Sequence, residues 1–195
     1  MKRLFCAFAA ILLSAGLFAQ TKYKPEISIG YGGMPFWEML VYGSNYDIYP
    51  DLYYTLDNLY GSDKGKVIST GVISLQADFP FKKWFSLPVT VAGVINTTKV
   101  YDSLYDRYGH EYSGGLHILA GAKFRYANKK HFNMYSSVNA GLCMLAYPDE
   151  SPDLLFDFEV VPVGFRVKGE HLFGYAEVGV GSFYIGGMVG IGYIF

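Results

Sequence analysis

Residues Phe183 to Phe195 read FYIGGMVGIGYIF, and the spacing of their side chains decides the fold. At every second position one row is Phe183, Ile185, Gly187, Val189, Ile191, Tyr193 and Phe195. The other row is Tyr184, Gly186, Met188, Gly190, Gly192 and Ile194. A period of two belongs to an extended strand, whose side chains alternate between faces. The first row is almost unbroken apolar, which predicts a face bathed in an oily medium. The second is half glycine, which predicts a crowded interior behind it.

The same alternation recurs upstream. Leu116 to Tyr126 sets Leu116, Ile118, Ala120, Ala122, Phe124 and Tyr126 against His117, Leu119, Gly121, Lys123 and Arg125. Both cations fall on one face, as a lipid-facing wall around a polar lumen requires, because Arg or Lys facing mid-bilayer costs about 2–4 kcal/mol. Phe132 to Ala146 places Phe132, Met134, Val138, Ala140, Leu142 and Met144 outside, with Asn133, Tyr135, Ser137, Asn139, Gly141 and Cys143 inside. In Trp84 to Thr97 the outer row is Phe85, Leu87, Val89, Val91 and Ile95, and Pro88 falls on the inner row. Pro25 to Gly33 gives a short first strand, and Val67 to Phe79 a second whose alternation is blurred by Ser69, Thr70 and Ser74. Leu155 to Val167 predicts Val161, Val163, Phe165 and Val167 on one row, with Val160, Pro162, Gly164 and Arg166 on the other. Leu172 to Val178 sends Leu172, Ala176 and Val178 outward and Phe173, Tyr175 and Glu177 inward.

Eight strands follow, and the connections between them alternate in length. The longest, Met34 to Lys66, carries Leu52, Leu56 and Leu59 at helical spacing between Pro50 and Gly61, which predicts a short helix over Asp51 to Tyr60. Thr98 to Gly115 reads as a second polar loop and Tyr147 to Leu154 as an acidic third. Pro80 to Lys83, Ala127 to His131 and Lys168 to His171 read as tight turns, and Gly179 to Ser182 as a brief link. An even strand count puts both chain ends on one side, with the long connections on the other.

Residues 1–19 have the anatomy of a cleaved secretory signal: Lys2 and Arg3, an apolar run over Leu4 to Leu13, then Ala19 before Gln20. The run is shorter than the roughly 20 residues a spanning helix needs. Residues 20–195 then form one domain. Taking Lys2 and Arg3 from 16 basic residues against 17 acidic ones leaves a mature net charge of about −3. No clustered basic surface suits a nucleic acid. Cys143 is the one cysteine outside the leader, so no internal disulfide is expected.

The closing stretch, with Tyr193, Ile194 and terminal Phe195, resembles the last strand of Gram-negative outer-membrane β-barrels. With GYAEVG over Gly174 to Gly179, the mature chain as a pattern is similar to the small eight-stranded outer-membrane barrel superfamily of OmpA- or OmpX-like architecture. The resemblance implies an all-β, closed antiparallel transmembrane barrel with a filled polar lumen. It also implies the general secretory route, and insertion by the barrel-assembly machinery, which would read Tyr193 and Phe195. Outer-membrane lipid and lipopolysaccharide would be its surroundings, and no cofactor is implied.

Eight strands leave room inside only for side chains. The expected lumen charges are Lys123, Arg125, Arg166 and Glu177, with Glu177 paired to Arg166 or Lys123 because a buried charge needs a partner. This is a structural network in the first place, with a proton or ion path as the functional variant. Some barrels of the superfamily modify lipid A using His, Ser and a carboxylate near the rim. The candidates for such work are His110 with Glu111, or His117 with Ser113, and neither sits in a recognisable nucleophile motif. Asp149, Glu150, Asp153 and Asp157 cluster in sequence without the fixed spacing of a calcium loop. Tyr42, Tyr46, Tyr49, Tyr53, Tyr54, Tyr60, Tyr101, Tyr105, Tyr108 and Tyr112 load the long connections. They suit an interfacial belt or a contact surface for an extracellular ligand. The expected role is structural, adhesive or partner-binding, with a lipid A-modifying enzyme and a narrow solute channel as alternatives.

Overall fold

The computed structural model describes residues 23–37, 64–102, 107–146 and 151–195. The leader, the helix expected over 51–60, the tyrosines between 42 and 60, Tyr105, Asp149 and Glu150 lie outside these residues. The elements are β1 (Glu26–Met34), β2 (Lys64–Ser69), β3 (Val72–Lys82), β4 (Phe85–Asp102), β5 (Arg107–Asn128), β6 (Phe132–Ala146), β7 (Asp153–Lys168), β8 (Leu172–Gly181) and β9 (Ile185–Ile194).

Hydrogen bonding runs β4-β3-β1-β9-β8-β7-β6-β5 and returns from β5 to β4, with every pairing antiparallel. The chain is therefore a closed antiparallel β-barrel of eight strands. β2 and β3 both lie on β4 and count as one interrupted strand. The seam is the pairing of β1 with β9, from Glu26 opposite Ile194 to Gly32 opposite Met188. The first and last described residues meet at one end of the barrel, where Phe195 N–H donates to the Pro25 carbonyl.

The expected faces are those observed over most of the ring, and the exceptions each have a local cause. The blurred second strand is two segments broken at Thr70 and Gly71, and it runs on to Lys82. Gly71 has φ +72, a left-handed conformation that glycine adopts without a Cβ penalty. The break resets parity, so Ile68 and Ile73 are both exposed while Val72 is buried. Thr70 keeps the gap tied to β4, its N–H donating to the Ile95 carbonyl and its Oγ1 accepting from Ile95 N–H.

In β7 one extra residue is inserted between Val160 and Val163, seen against both neighbours. A β-bulge of this kind flips every side chain beyond it. Val161 is therefore buried, not outward as its alternation with Val163 predicts. Asp157 and Glu159 turn inward with it, so Asp157 belongs to the interior and not to an acidic loop. The polar loop expected over Thr98 to Gly115 is instead a hairpin, with β4 and β5 paired out to Asp102 opposite Arg107. Pairing of β5 with β6 starts only at Gly114 opposite Ala146, so this hairpin and β2 stand beyond the rest of the rim.

Phe183 also departs from its row. β9 begins at Ile185, and Ser182, Phe183 and Tyr184 fold into the mouth, leaving both aromatics buried. Below them the glycine row has the reason its composition suggested. A Cβ on Gly190 would lie 2.4 Å from the Tyr175 ring, and one on Gly192 would lie 2.2 Å from the Phe173 ring. Gly187, on the outer face of the same strand, would meet nothing closer than 3.9 Å. Gly190→Ala is therefore expected to cost about 1–3 kcal/mol by overpacking, and Gly187→Ala close to nothing. Urea unfolding followed by tryptophan fluorescence reads the difference, and equal cost at both positions would refute this packing.

Candidate functional site

The interior is where the polar chemistry gathers. Strand alternation carries Glu26, Ser28, Asp78, Lys123, Arg125, Asn133, Asn139, Asp157, Glu159 and Arg166 inside, each nearly or completely buried. The exposed large side chains outside are apolar instead: Ile27, Ile29, Leu75, Ile118, Leu142, Phe156, Val178, Val189 and Ile191 among them.

Near the end of the barrel that holds the termini, the cations form one cluster. Glu26 Oε2 accepts from Arg125 Nη2 at 2.8 Å and also from Arg166 Nη1. Asp78 Oδ2 accepts from the same Arg125 Nη2 at 3.0 Å and from Lys123 Nζ at 3.1 Å. Lys123 donates further to Gln76 Oε1 at 2.6 Å and stands 4.9 Å from the Tyr135 ring centroid. The guanidinium of Arg166 lies 3.4 Å over the Phe173 ring. Two carboxylates thus pair with three cations, so that each buried charge has at least one partner of opposite sign.

Lys123, Arg125 and Arg166 come together, and their counter-ions are Glu26 and Asp78. Glu177 does not pair with Arg166 or Lys123: its oxygens accept from Tyr135 Oη at 2.6 Å and Tyr184 Oη at 3.3 Å. The reason is height along the barrel. Glu177 stands opposite Gly164 and Met188, one inward step further along β7 than Arg166. Glu26 was legible as an inward position from strand parity, sharing its row with Ser28. The unclear second strand hid Asp78.

Nearer the hairpin end a second cluster forms. His117 is fully buried on β5, with Nδ1 2.8 Å from Asp157 Oδ2 on β7. Asp157 Oδ1 accepts from Ser182 Oγ at 2.6 Å, and Ser182 Oγ accepts from Phe158 N–H at 2.8 Å. The other imidazole nitrogen, Nε2, lies 3.8 Å from Cys143 Sγ on β6, directly across from His117 in the strand register. The Phe183 ring packs on the imidazole at 5.1 Å between centroids. The serine that joins this cluster is Ser182, not Ser113. His110 is exposed on the projecting hairpin, away from these buried groups.

Against the cation cluster a cavity of about 10 Å³, lined by Asp78, Lys123, Tyr135, Arg166, Phe173 and Tyr175 among others, has room for about one water molecule. Among the described residues no group of three or more His, Cys, Asp or Glu is placed to hold a metal ion. The chain matches no family model, and no curated protein matches its sequence.

Removing Glu26 takes the carboxylate partner of Arg166 and one of the two carboxylate partners of Arg125, whereas Gln in place of Glu177 can accept from one tyrosine through its carbonyl and donate to the other through its amide. Glu26→Ala is therefore expected to cost about 3–5 kcal/mol, the range for breaking a buried ion pair, and Glu177→Gln under about 1 kcal/mol. Urea unfolding of the two variants side by side would show it. Equal losses would mean that Glu26 is not the hub.

Proposed function

We propose that the chain is an integral outer-membrane protein, an eight-stranded transmembrane barrel of OmpA- or OmpX-like architecture. Its hairpin end would face the exterior and serve a structural, adhesive or partner-binding role. One observation carries the membrane reading: charges and amides are inside, and large aliphatic side chains ring the outside. A water-soluble protein rarely exposes apolar surface of that extent. A second feature agrees with it. Around the end holding the termini, Trp84 stacks on Phe124 at 6.3 Å and Tyr193 packs edge-on to Phe195 at 5.4 Å. Such aromatic girdles mark the interfaces of transmembrane barrels.

Binding is favoured over transport because the interior is filled by packed side chains and paired charges. The projecting hairpin supplies a surface. Over residues 107–113, β5 pairs with β4 alone among the described strands, a stretch of roughly 23 Å at about 3.3 Å per residue. Tyr112 within it is 66% exposed and offers contact area with a polar tip. The export route through a cleaved leader and recognition of Tyr193 and Phe195 by the assembly machinery belong to the same proposal.

Membrane fractionation of expressing cells, followed by external protease, tests it. The full chain should sediment with outer membrane, and cleavage should fall in the 98–112 hairpin while the barrel survives. Ile118→Arg should lower stability in lipid by about 2–4 kcal/mol, while Ile118→Val should be tolerated. Recovery of a monomer that stays dissolved without any amphiphile would overturn the membrane reading.

A further inference from the structure

We infer that Cys143, His117 and Asp157 form an activated-thiol site that reacts with small hydroperoxides, a chemistry independent of the binding role above. The inference stands on geometry from three strands and a turn. Asp157 can only accept, so the Nδ1 contact at 2.8 Å places the imidazole proton on Nδ1. In the neutral imidazole Nε2 is then the accepting nitrogen, and it is the atom that faces Cys143 Sγ at 3.8 Å. A nucleophile, a base beside it and a third group orienting the base make the pattern that activates sulfur and oxygen nucleophiles. Asp157 is itself fixed by Ser182 Oγ–H and by Phe158 N–H at 3.1 Å. His117 touches the reacting sulfur, whereas Asp157 and Ser182 are positioning residues.

Size selects the reagent. Cys143 and His117 are both 0% exposed, and Phe183 closes over the imidazole. A lipid or peptide substrate has no room to bring a carbonyl to Sγ, which restricts the reagent to one the size of hydrogen peroxide. Cys143 lies three residues from the hairpin-end terminus of β6, and Ser182 lies in the turn at that same end. The path from the mouth is therefore short. In the step, Sγ attacks one peroxide oxygen as Nε2 takes the thiol proton. The O–O bond breaks, and that proton goes to the departing oxygen, giving water from hydrogen peroxide or an alcohol from an organic hydroperoxide. Sulfur is oxidised to the sulfenic acid and the peroxide is reduced.

The test uses the full mature barrel in detergent micelles with hydrogen peroxide as the probe. Dimedone traps the sulfenic acid, mass spectrometry locates it, and gel heat-modifiability confirms that each variant is folded. Wild type should acquire one adduct, at Cys143, and Cys143→Ser none. His117→Gln and Asp157→Asn should each slow the trapping at least tenfold. Loosening of the interior would speed trapping, so a fall in either folded variant reports lost chemistry and not lost packing. The inference is overturned if Cys143 is trapped only after unfolding in urea, or if both variants react at the wild-type rate.

Discussion

Glu26 on β1 accepts from two arginines across the interior, one on β5 and one on β7, and that convergence is what closing eight strands demands. A barrel of this size has no water-filled bore, so whatever polar side chains point inward must satisfy one another. The carboxylate nearest the β1–β9 seam does so across the full width of the interior. Arg125 in turn reaches Asp78 on β3, and Lys123 joins it there. First, middle and late strands are thereby tied through side chains at the end where backbone hydrogen bonds join the two termini. A buried ion cluster of this kind contributes little net stability against a well-packed apolar core, but breaking it is costly. It selects the register in which all its members are paired.

The bulge in β7 serves the same constraint. Below it Gly164 and Arg166 face inward; above it Val161, Glu159 and Asp157 do. A strand without the extra residue would have sent either the arginine or both carboxylates to the outer surface. By inserting one residue the chain keeps charges of both signs inside along one strand, Arg166 for the cation cluster and Asp157 for His117. Gly164 leaves room there for the Tyr135 ring, whose hydroxyl reaches Glu177. Interior glycines and interior aromatics are therefore one packing solution and not two compositional quirks.

The two ends of the barrel differ in kind. Where the termini meet, turns are short, aromatics girdle the outside and ion pairs fill the inside. At the other end strands run past the rim as a hairpin, and the turn between β8 and β9 folds inward with Phe183 and Tyr184 as a stopper. Ser182 in that turn bonds to Asp157, so the stopper and the His117 cluster are held by the same hydroxyl. A chain built this way presents the projecting hairpin and the His117 cluster on one side and its ion-paired framework on the other.

Alternation alone determined the barrel, its count of eight and the inward placement of Lys123, Arg125, Arg166, Glu177 and Cys143, because a period of two is written directly into adjacent residues. The glycine row facing a crowded interior was legible for the same reason. Partners were not legible: which carboxylate meets Arg166, or that Cys143, His117 and Asp157 converge, depends on relative strand height, which no local pattern encodes. Nor were the parity resets at Gly71 and between Val160 and Val163, since one inserted residue looks like any other until neighbouring strands fix the register. The hairpin beyond the rim was hidden by its composition, because polar residues in a strand with no apolar face read as loop. Side-chain period is a property of the chain, whereas register, and with it every contact across the interior, belongs to the closed sheet.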